Sequence, residues 1–182
     1  NNFTNLFFSL TSSVSNIGFS LNNDYENLSF IFLILVIIGG SFFSTSSGIR
    51  FLKIYSLFKY SINEILSYSR PKNIFVNKHL FSKESFEISE VHKYFLSIII
   101  FIFSLFFLTS LLTLSGVEFD NSFKLSILTL MNTVNSSIYG LNDFNFNNLH
   151  FFTKYYLIIF MIIGRVELLT FLIICKKFLF KN

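Results

Sequence analysis

Twenty consecutive residues, Phe95–Leu114, carry no charge. A helix of that length is about 30 Å long, the thickness of a bilayer's hydrocarbon core. Two further stretches repeat the signal. Leu28–Phe43 runs on into Ser/Gly-rich sequence as far as Gly48, and Tyr155–Cys175 is apolar except for Arg165 and Glu167. A soluble core has little room for three long helices that are apolar on every side. Charged residues make up 13% of the 182-residue chain, against about 25% in an ordinary soluble domain. The chain therefore reads as an all-α membrane protein embedded in a lipid bilayer. Its 28 Phe are the kind of excess an AT-rich coding sequence produces, so that count is not itself a functional signal.

Two apolar stretches are too short to span. Phe3–Val14 and Phe123–Val134 each run into a polar tract bearing Asn, Ser and Gly. Apolar runs of about 10–14 residues suit re-entrant segments. Non-helical backbone survives at membrane depth only where it is buried in protein or lines a watery cavity. Each short stretch thus reads as a pore helix with a loop behind it.

Charge sets the orientation. Arg50–Lys93 holds eight Lys/Arg against four Glu, and Lys176, Lys177 and Lys181 follow the last apolar stretch. Asn1–Asn27 has no Lys or Arg, and Gly116–Asn148 has only Lys124. The positive-inside rule places the basic segment and the C-terminus in the cytoplasm and both polar tracts outside. Topology thus accounts for the net charge of +4, with no need for a nucleic-acid partner. The basic segment also lacks the aromatic platforms of single-strand binders. Within it, Phe51–Leu66 is spaced as a helix that Ser69-Arg70-Pro71 stops, Val76–Phe81 suits a short strand, and Ser85–Val91 leads into the next span.

Other chemistries find little support. Cys175 stands alone, and His79, His92 and His150 are scattered without a Cys-x-x-Cys, which excludes an internal disulfide and argues against structural zinc. No GxxxxGK[ST] occurs. Glu167, His150 and the serines form no nucleophile–base arrangement, so the chain does not read as an enzyme.

The order short helix, polar tract, span occurs twice, at Phe3–Gly40 and Phe123–Arg165. Ile37-Ile38-Gly39-Gly40 and Ile162-Ile163-Gly164-Arg165 lie 125 positions apart, and Ser15–Phe19 and Asn132–Ser136 lie 117 apart. Only the second copy has a preceding span. The chain opens in mid-pattern without Met or a basic leader, so a fragment of a longer protein is expected. The divisions are 1–48 (pore helix, loop and second helix), 49–93 (cytoplasmic connector) and 94–182 (a complete helix–loop–helix copy with its tail).

Helix, pore helix, extended loop and second helix form the repeating unit of potassium channels, whose filters replace an ion's hydration shell with backbone carbonyls. Ser15-Asn16-Ile17-Gly18-Phe19 supplies small or β-branched residues and a glycine where φ can turn positive. Alone it reads as well as an ordinary turn, and its position between a short helix and a span gives it weight. Arg165 within a span is expensive in lipid, at about 2.5–3.5 kcal/mol on insertion scales, and such residues usually face a cavity or bundle interior. A local pair with Glu167 is the competing reading, although residues two apart on a helix do not face each other.

At these residues the chain resembles the Trk/Ktr superfamily of potassium uptake proteins, specifically the Trk-type membrane subunit. Ile38-Gly39-Gly40-Ser41-Phe42-Phe43-Ser44-Thr45-Ser46-Ser47-Gly48-Ile49-Arg50 matches the family's IGG-x-x-x-ST-x-GGIK, and Ile163-Gly164-Arg165-Val166-Glu167 matches its IGRLE-like motif. Asn16-Ile17-Gly18-Phe19 approximates the third filter and Asn132-Thr133-Val134-Asn135 the fourth. The resemblance implies one and a half of four repeats. It also implies a potassium filter at Asn16, Ile17, Gly18, Thr133, Val134 and Asn135, and a gate at Gly39, Gly40, Ser44, Thr45 and Gly48 with Arg165 beneath the filter. Potassium ion would be the substrate, taken up by symport down its electrochemical gradient across a bacterial inner membrane. A homodimer of the full-length protein and a cytoplasmic nucleotide-binding regulatory subunit are the implied partners. Departures from the pattern are Asn135 where the filter has Gly, Phe42 and Phe43 where smaller residues are usual, and Ser46 and Ser47 where Gly is usual. The competing function is a non-transporting structural subunit of a membrane complex.

Overall fold

The computed structural model describes residues 2–20, 26–39, 49, 51–69, 88–134, 137–141, 145–165 and 168–179. Among these, the regular elements are helical: α1 (Asn2–Val14), α2 (Ser29–Ile38), α3 (Phe51–Ser69), α4 (Ile88–Leu114), α5 (Phe119–Met131), α6 (Phe151–Arg165) and α7 (Leu168–Leu179), with short 3-10 turns at Glu26–Leu28, Ser137–Tyr139 and Phe146–Asn148.

Helix α4 has 27 residues, about 40 Å at 1.5 Å per residue. Phe101, Leu105, Leu108 and Leu112 form its buried stripe, at helical spacing. The opposite face is just as apolar, yet Ile99, Ile102, Phe103, Phe106 and Phe107 are exposed. Only 33% of its most apolar window is buried, whereas the core helix of a soluble protein would be mostly covered. An uncovered apolar face on a spanning-length helix is what lipid solvates. Among the described residues α4 is the one helix long and apolar enough to cross a membrane by itself.

The short helix α5 lies at the centre, against α2, α4 and α6. Every residue from Leu125 to Met131 is buried. Its hydroxyls are accommodated by bonding back along the helix: Ser126 Oγ donates to the Ser122 carbonyl (2.7 Å) and Thr129 Oγ1 to that of Leu125 (2.6 Å). A bond between helices runs from Thr109 Oγ1 on α4 to Ser126 Oγ (3.1 Å). Asp120 in the first turn complements the helix dipole and pairs with Lys124 one turn on.

Helix α1 packs on α2 and thus occupies in the first copy the place α5 has against α6 in the second. At 13 residues each, α1 and α5 are about 20 Å long and cannot span. Helix α2 is shorter than the expected span: it stops at Ile38 because Gly39 turns to φ −59°, ψ 169°. Within the third expected span, Tyr155–Cys175, the described residues lie in α6 and α7, and positions 166–167 lie outside the described residues. The connector helix α3 forms as expected, and the expected strand at Val76–Phe81 lies outside the described residues.

Candidate functional site

Helices α1 and α5 end in the same way. Asn16 and Asn132 are the non-glycine residues with positive φ among those described, at +58° and +54°. The Asn16 N–H donates to the Ser13 carbonyl (3.1 Å) and the Ile17 N–H to that of Ser12 (3.0 Å). In the second copy, the Asn132 N–H donates to the Thr129 carbonyl (3.2 Å) and the Thr133 N–H to that of Leu128 (3.0 Å). Each is a Schellman ending built on one of the few side chains that tolerate the left-handed region. The caps align Asn16 with Asn132, 116 positions apart, one position from the spacing read in the sequence. The reason is that the residue able to take positive φ fixes the helix end, whatever its neighbours resemble.

The same asparagines reach sideways to the following helix. Asn132 Nδ2 donates to the Met161 carbonyl in α6 (3.0 Å). The Asn16 amide, oriented so that its nitrogen faces acceptors, donates to the Val36 carbonyl in α2 (3.1 Å) and to Ser13 (3.2 Å). Val36 and Met161 stand 125 positions apart, each three residues before a glycine. A Cβ on Gly39 would lie 2.7 Å from the Val14 carbonyl oxygen and equally close to the Asn16 amide, and one on Gly164 would lie 2.3 Å from that of Leu130. Val14 and Leu130 are again 116 apart. Both copies thus lean a glycine at or near the end of the second helix on the last turn of the short helix before it.

Beyond the caps the two loops touch. The Val134 N–H donates to the Ile17 carbonyl (3.2 Å). Gly18 has φ +88°, and a Cβ there would stand 2.3 Å from the Val134 carbonyl oxygen and 2.7 Å from Thr133 Cγ2. No charged residue lies between Asn2 and Ser20 or between Leu125 and Leu141, so the oxygens that these two segments offer a cation are neutral: loop carbonyls and the hydroxyl of Thr133, whose buried Oγ1 has no hydrogen-bond partner among the described residues.

Four of the expected filter residues, Ile17, Gly18, Thr133 and Val134, thus come together, with Asn16 buried immediately behind them. Asn135 lies outside the described residues, as do Gly40, Ser44, Thr45 and Gly48 of the expected gate. Gly39 is buried at the end of α2. Arg165 is exposed as the last residue of α6, directly after the glycine that touches Leu130.

Sequence reasoning missed two supports. Tyr139 is fully buried, and its hydroxyl shares a hydrogen bond with Ser13 Oγ (3.3 Å), joining the 3-10 turn at Ser137–Tyr139 to α1. Lys124 Nζ donates to the Gly140 carbonyl (3.5 Å) as well as to Asp120. Neither has a local signal. For the asparagine tethers a signal did exist, in the Ile-Ile-Gly repeated at 125 positions.

The potassium transporter TrkH from Vibrio parahaemolyticus, seen in a crystal structure, is similar in fold, with a TM-score of 0.76 and 22% identity. The match covers 94% of this chain and 36% of that one, so the chain spans about a third of its structural relative. No curated protein sequence matches significantly. The sequence profile of TrkH, described as a cation transport protein, matches residues 1–180. The chain therefore belongs to the TrkH family of cation transport proteins, a family of membrane transporters and not of enzymes.

Proposed function

We propose that the chain supplies two adjacent quarters of a potassium-selective filter in a bacterial inner-membrane uptake protein, with its C-terminus in the cytoplasm. The observation that carries this reading is the meeting of two loops, each launched by a left-handed asparagine at the end of a non-spanning helix and joined by the Val134–Ile17 hydrogen bond. A filter of this kind replaces the water around a cation with main-chain oxygens. Ile17, Gly18, Thr133, Val134 and Asn135 supply those oxygens, and Asn16 shapes the first loop. Ions move down their electrochemical gradient and no covalent bond changes.

The stretch Gly39–Gly48, rich in Gly and Ser apart from Phe42 and Phe43, acts as the gate. Arg165, next to Gly164 and hence at the level of the pore-helix end, adds positive charge on the exit side. A homodimer of the complete protein and a nucleotide-binding regulatory subunit contacting the basic connector complete the assembly. The test is growth: the product of the complete reading frame restores a potassium-uptake-deficient bacterium at low potassium. Membrane expression without rescue would rule transport out.

A further inference from the structure

We infer that Asn16 and Asn132 are positioning residues that lock each filter loop to the backbone of the helix behind it, so that filter geometry is set by the ends of α2 and α6. This rests on the filter reading above and adds to it a role for two side-chain amides. Each asparagine does two separable things. Its backbone takes the left-handed turn that ends the pore helix. Its side-chain nitrogen donates to a carbonyl of the next helix, that of Val36 in one copy and Met161 in the other.

The first task needs only a residue tolerant of positive φ, and glycine performs it better than asparagine. The second needs an amide. In the first copy the amide meets a carbonyl in the last turn of α2, where such groups lack intrahelical partners. It also lies over Gly39, where any side chain would displace it. The tether therefore joins the residue before Ile17 and Gly18 to the glycine at which the proposed gate begins. The second copy repeats the geometry on the second Ile-Ile-Gly helix, with a different loop sequence. Its recurrence where the loops differ argues against a chance contact.

The helix end and the tether separate by substitution. Asn16→Gly and Asn132→Gly keep the left-handed cap and delete the amide. Asn16→Asp keeps size and cap but turns an acceptor toward the Val36 carbonyl. The complete protein is reconstituted in liposomes, and potassium and sodium fluxes are measured with each as sole cation, alongside thermal melting in detergent. For the tether, the potassium-to-sodium flux ratio falls about three- to tenfold in each glycine variant, the scale of one ordinary hydrogen bond. It falls further in Asn16→Asp, and melting drops in all three. For a cap alone, both glycine variants match or exceed wild type in melting and keep the ratio within about twofold, which overturns the proposal. A glycine variant too unstable to assay supports the tether over the cap, and the other copy then carries the ratio measurement. Wild-type protein that is folded yet shows no potassium preference removes the filter reading, and this inference with it. Selective wild type with unaltered glycine variants removes the tether alone.

Discussion

The amide of Val134 is hydrogen-bonded to the carbonyl of Ile17 at 3.2 Å, across 117 positions of sequence. Gly18 lies so close against the same residue that even a methyl group has no place: its carbon would stand 2.3 Å from the Val134 oxygen and 3.0 Å from its nitrogen, both backbone atoms. The contact and the left-handed φ of +88° make the same demand on this position.

Gly18→Ala is therefore expected to separate the loops. The left-handed conformation alone costs a side chain roughly 1–2 kcal/mol, and overpacking adds about 1–3 kcal/mol. Potassium flux in proteoliposomes should fall at least about tenfold at equal protein, since 1.4 kcal/mol is tenfold in an equilibrium. Wild-type flux in this variant would mean that the loops do not need to touch.

Gly39 and Gly164 make parallel contacts in the two copies, so Gly39→Ala and Gly164→Ala should fail in parallel. Each Cβ meets backbone oxygen, of Val14 at 2.7 Å and of Leu130 at 2.3 Å. Backbone yields less readily than the tip of a side chain, so the second helix must move away. A loss of about 1–3 kcal/mol is expected for each, larger for Gly164 because its approach is closer. Thermal melting of the purified protein checks both the loss and the order.

Tyr139 offers a contrast between a hydrogen bond and volume. Its hydroxyl meets Ser13 Oγ, but Ser13 also donates to the Ser9 carbonyl at 2.9 Å. Tyr139→Phe thus leaves Ser13 satisfied and should cost no more than about 0.5–1.5 kcal/mol. Tyr139→Ala empties a fully buried ring site and should cost about 3–5 kcal/mol. Melting temperatures of the two variants should differ accordingly, and equal losses would show that the hydroxyl, not the ring, anchors this turn.

What the sequence disclosed was local. The run Phe95–Leu114 announces α4 through hydropathy, and Phe3–Val14 marks α1 to within a residue. Helix α5 begins earlier than its apolar run, at Phe119, because Asp120 sits in the first turn, where the helix dipole favours it, and pairs with Lys124 one turn on. It ends earlier, at Met131, because Asn132 can turn left-handed. Hydropathy carries neither fact. The candidate filter was legible as two motifs but not as one site, since Ile17 and Val134 meet only through the fold. The repeated Ile-Ile-Gly marked the two helices that the tethers reach, but not the bonds themselves, because an asparagine's partner here is a backbone carbonyl, and backbone has no residue type to read.

Arg165 allows a test of charge that does not depend on packing. It is exposed at the end of α6, so exchanging it should leave folding nearly intact. It follows Gly164, whose contact with Leu130 holds it at the level where the second pore helix ends. A positive charge about 10 Å from a passing cation, at an effective dielectric constant of about 20, opposes it by about 1.7 kcal/mol. Arg165→Gln should therefore raise potassium flux severalfold, with the roughly fifteen- to twentyfold that this energy implies as the upper bound. Arg165→Lys keeps the charge and should stay near wild type, and the gain in Arg165→Gln should shrink with rising ionic strength as screening replaces the lost charge effect. Equal flux from Arg165→Gln, Arg165→Lys and wild type would place this guanidinium away from the ion path.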